Sequence, residues 1–277
     1  DSMRGVVVVR GGGDLATGTI LRLYQCGVRM LVLECAQPTA IRRAVAFCEA
    51  VYDGVTQVEG VTCRRIDTLE QAETVWAAGE IPLLVDEAGA CLSQVQPVAL
   101  VDAILAKRNL GTTRDMAPIT VALGPGFVAG EDVDAVVETM RGHRLGRVLY
   151  TGAAQPNTGV PGKIGGYDKE RVIHAPADGA LVPCAAIGDV VQAGQTLAML
   201  GDVPVPATID GVLRGLIRAG YPVTKGLKIA DIDPRLGERE NCTTVSDKAR
   251  AIAGGVLEAL LHLARERGLT RCLLGEG

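Results

Sequence analysis

The residue types with the most chemical potential lie close to the start of the chain, in Arg10-Gly-Gly-Gly-Asp-Leu-Ala-Thr17. Gly11, Gly13 and Ala16 follow the spacing G-x-G-x-x-G/A. Gly11 would allow a tight turn, Gly13 would let backbone amides approach a pyrophosphate, and Ala16 would keep a following helix close to a strand. The N-terminus of that helix adds roughly half a positive charge. Glu34 follows about 20 residues later, where a carboxylate can accept from a ribose hydroxyl. This pattern predicts a dinucleotide site built from Gly11, Gly13, Asp14, Ala16, Thr17 and Glu34, with Asp14 either touching the ligand or capping the helix. The plainer reading is a glycine-rich turn that binds nothing.

A second group is Lys107-Arg108-Asn109-Leu110-Gly111-Thr112. Its meaning depends on what precedes it. Val98, Val101, Ile104 and Leu105 fit a helical face, whereas Val98, Leu100 and Ile104 fit a strand. If residues 97–107 form a strand, the loop falls at the carboxyl edge of a sheet, where open α/β folds bind ligands, and Lys107 and Arg108 become candidate anion clamps. Asp86, Asp102 and Lys107 are candidate proton-transfer groups by position, and Lys107 would need burial to lower its pKa enough to act as a base. Arg42 and Arg43 read equally as phosphate contacts or as a solvated helix face opened by Pro38. The eight cysteines contain no C-x-x-C and no adjacent histidine, a spacing that predicts free thiols and no local metal site. Cys35 and Cys242 are the two thiols best placed for reactivity, each set against the reading of an ordinary small residue.

The elements that must position these groups can be read from periodicity. Val6 to Val9 is a short β-branched run of the kind buried on both faces of a parallel sheet. Similar runs occur at 28–34, 81–86, 119–123 and 147–150. Residues 55–66 read as a hairpin turning at Glu59-Gly60, 69–78 as a helix, and 131–140 as a helix headed by acids. Strands alternating with helices predict a Rossmann-like, mostly parallel, doubly wound sheet over residues 1–150. Residues 151–171, rich in Gly, Pro, Asn and Thr, read as a linker or covering loop.

Beyond them the chain repeats itself. Asp178-Gly179 recurs as Asp210-Gly211 and Gly188 as Gly220, while Val191, Gly194, Leu197 and Leu200 recur as Val223, Gly226, Ile229 and Ile232, all at an offset of 32. Two copies of one small β unit about a pseudo-twofold explain this. The pattern over 172–235 resembles the barrel-sandwich hybrid of biotinyl and lipoyl carriers, without an attachment lysine, which implies no covalent biotin or lipoyl group. Residues 236–277 read as a C-terminal helix packing on the rest, opened by Thr244 with Asp247 in a capping-box-like start. Gly254-Gly255 inside that helix calls either for close approach of another backbone or for a locally weak helix.

With 277 residues, 48% of them hydrophobic, and a net charge of −4, the chain is long and apolar enough for real cores. It has no electrostatic reason to seek nucleic acid or an anionic membrane. No apolar run reaches the ~18 residues of a membrane span. No leader pattern opens the sequence, and Asp1-Ser2 ahead of Met3 reads as a remnant of expression. These features predict a cytoplasmic protein.

Taken end to end, the chain resembles the YqeB-type accessory proteins of selenium-dependent molybdenum hydroxylases, distant relatives of XdhC-like maturation factors. The resemblance is carried by Arg10-Gly-Gly-Gly-Asp-Leu-Ala-Thr-Gly18, Ala40-Ile-Arg-Arg43, Ala106-Lys-Arg-Asn109, Leu123-Gly-Pro-Gly-Phe127, Pro156-Asn-Thr-Gly159, Pro176-Ala-Asp-Gly179 and Ser246-Asp-Lys-Ala-Arg-Ala-Ile252. It implies a maturation factor for such a hydroxylase, its partner, handling a molybdopterin dinucleotide or taking part in selenium insertion. Two other readings stand beside it. One is an NAD-dependent oxidoreductase, with Glu34 favouring NAD. The other is a non-catalytic scaffold for a client enzyme, in which a homo-oligomer is equally compatible.

Overall fold

The computed structural model describes residues 5–276. Asp1 to Arg4 and Gly277 lie outside the described residues, and with them the reading of Asp1-Ser2. The chain divides into two compact units: Asp1–Pro38, Ala46–Asn157 and Val245–Gly277 form the first, and Thr39–Val45 with Thr158–Thr244 form the second. This division cuts across the four-part reading, because the C-terminal segment joins the first unit and residues 39–45 join the second.

The first unit is built on β1 (Val7–Arg10), β2 (Met30–Glu34), β3 (Val55–Val58), β4 (Val61–Ile66), β5 (Ile81–Val85), β6 (Ala99–Asp102), β7 (Ile119–Leu123), β8 (Val128–Ala129), β9 (Ala135–Val137), β10 (Val148–Leu149) and β11 (Gly152–Ala153). Nine of these make one sheet in the order β10-β9-β7-β6-β1-β2-β5-β4-β3, and β8 pairs with β11 separately. The hairpin β3–β4 and the pair β9–β10 run antiparallel, while β1 lies parallel between β2 and β6. Every residue of β1 and β7 is buried, as apolar β-branched runs demand in a sheet covered on both faces. The hairpin turns at Glu59 (φ 48) and Gly60 (φ 81).

Helix is sparse. Helix α1 (Asp14–Gln25) follows β1; α2 (Ala50–Asp53), α3 (Ala72–Ala77) and α4 (Leu92–Val95) are a turn or so each; α5 (Asp247–Glu266) and α6 (Thr270–Leu273) come from the end of the chain. Helix α5 buries Ile252, Val256, Leu260 and Leu263 along one stripe and lies against α1. A Cβ on Gly18 of α1 would come within 2.7 Å of the Ala249 Cβ, so small residues set this helix spacing. Of the glycine pair, only Gly255 meets another backbone, with the Gly146 carbonyl pressed against the place its Cβ would take; Gly254 faces open space. The cap of α5 is Ser246, whose side chain accepts the Ala249 amide, in place of Thr244.

The Rossmann-like expectation is therefore corrected. The sheet is mixed and nine-stranded, β6 reaches β7 without an α-helix, and residues 131–140, expected as a helix, hold turns and β9. The acids there do not head a helix. Asp132 accepts the Val128 amide at 2.7 Å and buried Asp134 accepts the Thr120 amide at 2.9 Å. These bonds fix a tight return into β9, whose Val136-Val137 suits a strand.

The second unit contains β12 (Val172–His174), β13 (Gly179–Pro183), β14 (Val190–Val191), β15 (Thr196–Leu200), β16 (Val203–Pro206), β17 (Gly211–Leu216), β18 (Pro222–Val223) and β19 (Lys228–Asp233). They form two antiparallel sheets, β12-β19-β17-β14 and β16-β15-β13-β18. Moving four strands along the chain turns the first order into the second, so the 32-residue repeat is a repeat of structure. The two copies also exchange equivalent bonds. Asp178 accepts the Lys225 amide and Asp210 accepts the Ala193 amide, both at 2.7 Å. A core of Leu181, Leu197, Leu200, Leu213, Ile229 and Ile232 lies between the sheets. The biotinyl/lipoyl-type barrel sandwich over 172–235 is likewise corrected, since the unit also takes in residues 39–45, 158–171 and 236–244. The Ile41 carbonyl accepts the Leu216 amide, and Gly215 leaves room for Ile41. Arg42 and Arg43 accordingly do not lie on a solvated α-helical face: buried Arg42 donates to the Asn241 and Thr244 carbonyls, and Arg43, which opens a single 3-10 turn, donates to that of Leu216 at 2.6 Å.

Candidate functional site

Because β1, β2, β5, β6 and β7 run parallel, their last residues share one edge of the first unit. That edge gathers Arg10 to Gly13, Glu34 and Cys35, Asp86 and Glu87, Asp102 and the loop 103–112, and Gly124 to Gly126. The ambiguous segment is a strand, Ala99–Asp102, so the Lys107–Arg108 loop does fall at the carboxyl edge.

The glycine turn is shaped by its neighbours. Gly11 (φ 98) takes a conformation that suits glycine, and a Cβ there would stand 2.7 Å from the Ala103 carbonyl oxygen. Gly13 is the N-cap of α1, with no side-chain cap bond, and a Cβ on it would meet nothing within 4 Å. Asp14 opens the first turn of α1, where its charge complements the helix dipole. Ala16 and Thr17 are fully buried. The Thr17 hydroxyl donates to the Gly13 carbonyl at 2.7 Å and accepts the Phe47 amide at 3.0 Å, so Thr17 is a strut of the turn and not a ligand contact.

Glu34 points at the turn. Its Oε1 accepts the Gly12 amide and its Oε2 the Cys35 amide, each at 2.8 Å. The turn around residues 47–49 covers the other side of Gly12, with the Cys48 amide donating to the Gly12 carbonyl at 2.8 Å. A carboxylate and a backbone turn thus occupy the centre of the loop where a diphosphate was expected. Gly12 contributes no free amide, and a phosphate brought to it would meet Glu34 across a few ångströms. The dinucleotide cradle of the NAD type is corrected on this ground. What stays open to a ligand is the α1 N-terminus from Gly13 onward, whose first amides have no partner within the helix.

The three candidate proton-transfer groups fare differently. Asp86 accepts the Ala90 and Cys91 amides at 2.9 and 2.8 Å; burial works against its charge, but these amides prevail and hold it below the ordinary carboxylate range. It is a turn brace. Asp102 is 1% exposed, and burial pushes its carboxyl up against the opposing effects of Thr112, the Ile104 amide and Arg10. Its Oδ1 accepts the Ile104 amide at 3.1 Å and its Oδ2 the Thr112 hydroxyl at 2.6 Å. Buried Arg10, which the sequence reading passed over, donates to the Thr112 hydroxyl at 2.7 Å and to the Glu87 carbonyl at 2.9 Å. A charged residue closing a run of four valines was the available signal. Lys107 and Arg108 are exposed and, among the described residues, form no ion pair.

The thiols near the edge are held protonated. Burial first and the Glu34 charge second push Cys35 up to about 11, and the same two causes raise Cys48. In the second unit, burial raises Cys242. Cys35 lies beside a carboxylate, and at Cys242 burial outweighs the opposing pull of Arg42, Arg214 and Arg239, so neither is set up as a thiolate near neutral pH.

No family model matches the chain. It is 52% identical over 261 residues, 94% of its length, to the uncharacterized protein YqeB of Escherichia coli strain K12. The similarity to YqeB runs over nearly the whole of this chain. The chain spans about half of that relative, 48% of its length. Among solved structures it is similar to a succinylglutamate desuccinylase/aspartoacylase from Rhodobacter sphaeroides, at 13% identity, with 84% of this chain and 86% of that one covered and a TM-score of 0.27. It is also similar to a succinylglutamate desuccinylase from Silicibacter sp. TM1040, at 13% identity, 83% and 84% coverage and a TM-score of 0.24. No helix among the described residues is long and apolar enough to cross a membrane.

Proposed function

We propose that this YqeB-like chain is an accessory factor in the maturation of a molybdenum hydroxylase, and that the carboxyl edge of its first unit holds a phosphate-bearing, nucleotide-like ligand. The observation that supports this is the pairing of an uncapped α1 N-terminus, open at Gly13, with a Glu34 carboxylate anchored beside it. The helix end favours one phosphate. Each Glu34 oxygen accepts one backbone amide and keeps a lone pair for a sugar hydroxyl. The role assigned is holding and handing over a ligand; the raised Cys35 and Cys48 pKa values argue against thiolate chemistry at this edge.

Melting curves of the full chain with cytidine diphosphate and with molybdopterin dinucleotide test the reading. A ligand present at 100 times its dissociation constant should add about 2.7 kcal/mol to stability. No shift with either overturns the nucleotide-holding role.

A further inference from the structure

The loop that leaves β6 is built as if to hold two cations still. It carries two non-glycine residues in the left-handed region, Leu105 (φ 59) and Lys107 (φ 62), a conformation that costs roughly 1 kcal/mol or more each and persists only where the surroundings impose it. The surroundings here are specific. Asp102 takes the Ile104 amide at one end of the loop and the Thr112 hydroxyl at the other. Asn109 braces the tip, its Oδ1 accepting the Gly111 and Thr112 amides at 2.9 and 2.8 Å and its Nδ2 donating to the Thr112 carbonyl at 2.8 Å. Gly126 backs the loop so closely that a Cβ there would stand 2.5 Å from the Arg108 Cα. The two side chains this framework presents, Lys107 and Arg108, have no acidic partner among the described residues, although Asp14, Glu34, Asp86 and Glu87 all belong to the same edge.

We infer that residues 103–112 form a preorganised anion-binding arm, in which Lys107 and Arg108 receive a phosphate group of the ligand and Asp102 and Asn109 are positioning residues. An ammonium beside a guanidinium fork suits a phosphate or diphosphate better than a carboxylate, since it offers several donors to several oxygens. The inference rests on the proposed nucleotide-like ligand and names what recognises its charged end.

The test is calorimetric titration of the full chain with cytidine diphosphate and with inorganic pyrophosphate. The wild type is compared with the double variant Lys107→Ala/Arg108→Ala, with Asn109→Ala and with Asn109→Asp. The double variant changes only exposed side chains and should melt like the wild type while binding both probes about 10- to 100-fold more weakly, the loss of charge-assisted hydrogen bonds. Asn109→Ala should weaken binding as well, and Asn109→Asp, which keeps both acceptor bonds but loses the Nδ2 donor and sets a negative charge beside the two cations, should weaken it further, most strongly at low salt. Added salt should weaken wild-type binding more than that of the double variant. Equal affinity in the wild type and the double variant overturns the arm while leaving the nucleotide reading standing. Failure of the wild type to bind either probe overturns both.

Discussion

The Glu34 carboxylate accepts the Gly12 amide at 2.8 Å, closing the glycine turn with the residue expected to hold a sugar across it. This bond ties the end of β2 to the turn after β1. It also places a negative charge beside two thiols, and its removal has a readable effect there.

Glu34→Gln keeps an acceptor for one of the two amides and removes the charge. Burial is the first cause of the raised Cys35 pKa and the Glu34 charge the second, so the value should fall from about 11 toward the ordinary thiol range. Peptide-resolved alkylation by iodoacetamide at pH 9 should label Cys35 several-fold faster in the variant, while exposed Cys26 and Cys184 react unchanged and serve as internal references. An unaltered Cys35 rate would mean that the carboxylate does not face the thiol.

Acid stability should depend on Asp134. Its side chain is 3% exposed and is met by Arg114 at 2.7 Å and Arg267 at 2.8 Å. Burial alone would push the carboxyl up, but the two guanidiniums and the Thr120 amide outweigh it and leave a pKa of about 2. The folded value lies below the unfolded value of about 3.9, so the stabilisation is complete above roughly pH 4 and drains away between about 4 and 2. Arg267→Ala should raise the Asp134 pKa and cost about 2 kcal/mol at pH 7. The gap from wild type should narrow as pH falls through that window. Urea unfolding at pH 7, 4 and 3 measures this, and a pH-independent gap would count against it.

How much of this was legible in the sequence varies from element to element. The 32-residue repeat was the most informative signal, because turn glycines and core positions recur together and each copy must answer the other. The exchanged Asp178–Lys225 and Asp210–Ala193 bonds are its physical content. The buried strands were legible for a similar reason: Val6 to Val9 and Ile119 to Leu123 have few places to be except inside a sheet. The helix expected at 131–140 failed because acids at a helix start and acids that brace a turn look alike until the partner amides are known. The glycine turn failed as a diphosphate cradle because sequence spacing cannot show that Glu34 and the Cys48 turn fill its centre. Arg10 escaped notice because its partners, Thr112 and the Glu87 carbonyl, lie 102 and 77 residues away.

Two glycine-to-alanine changes should move stability in opposite directions. On Gly18 the new methyl would stand 2.7 Å from the Ala249 Cβ and 3.0 Å from its carbonyl oxygen, forcing α1 and α5 apart at a cost of about 1–3 kcal/mol. On Gly254, inside α5 and facing nothing within 4 Å, the same change relieves the glycine penalty and should add about 1 kcal/mol. Denaturant midpoints for the two variants decide the matter. A destabilised Gly254→Ala would show that the open face of α5 is covered in solution.

Asp231 should be the most sensitive charge in the second unit. It is 3% exposed and lies between Arg171, at 3.2 Å, and Arg214, joining β19 to β17 and to the segment entering β12. Arg171 also donates to the Gly162 carbonyl at 2.7 Å, so the same guanidinium fixes the 158–168 loop. Asp231→Ala removes the carboxylate that pairs with Arg171 at 3.2 Å while the buried guanidinium remains, and a change of that kind costs about 3–5 kcal/mol. Replacing both partners, as Arg171→Met with Asp231→Leu, leaves no buried Arg171 charge and should recover much of the loss. Hydrogen exchange at the Val172 to His174 amides should rise in the single variant and return toward wild type in the double. If the double variant were no more stable than the single, the pair would be holding the strands by geometry that apolar packing cannot replace.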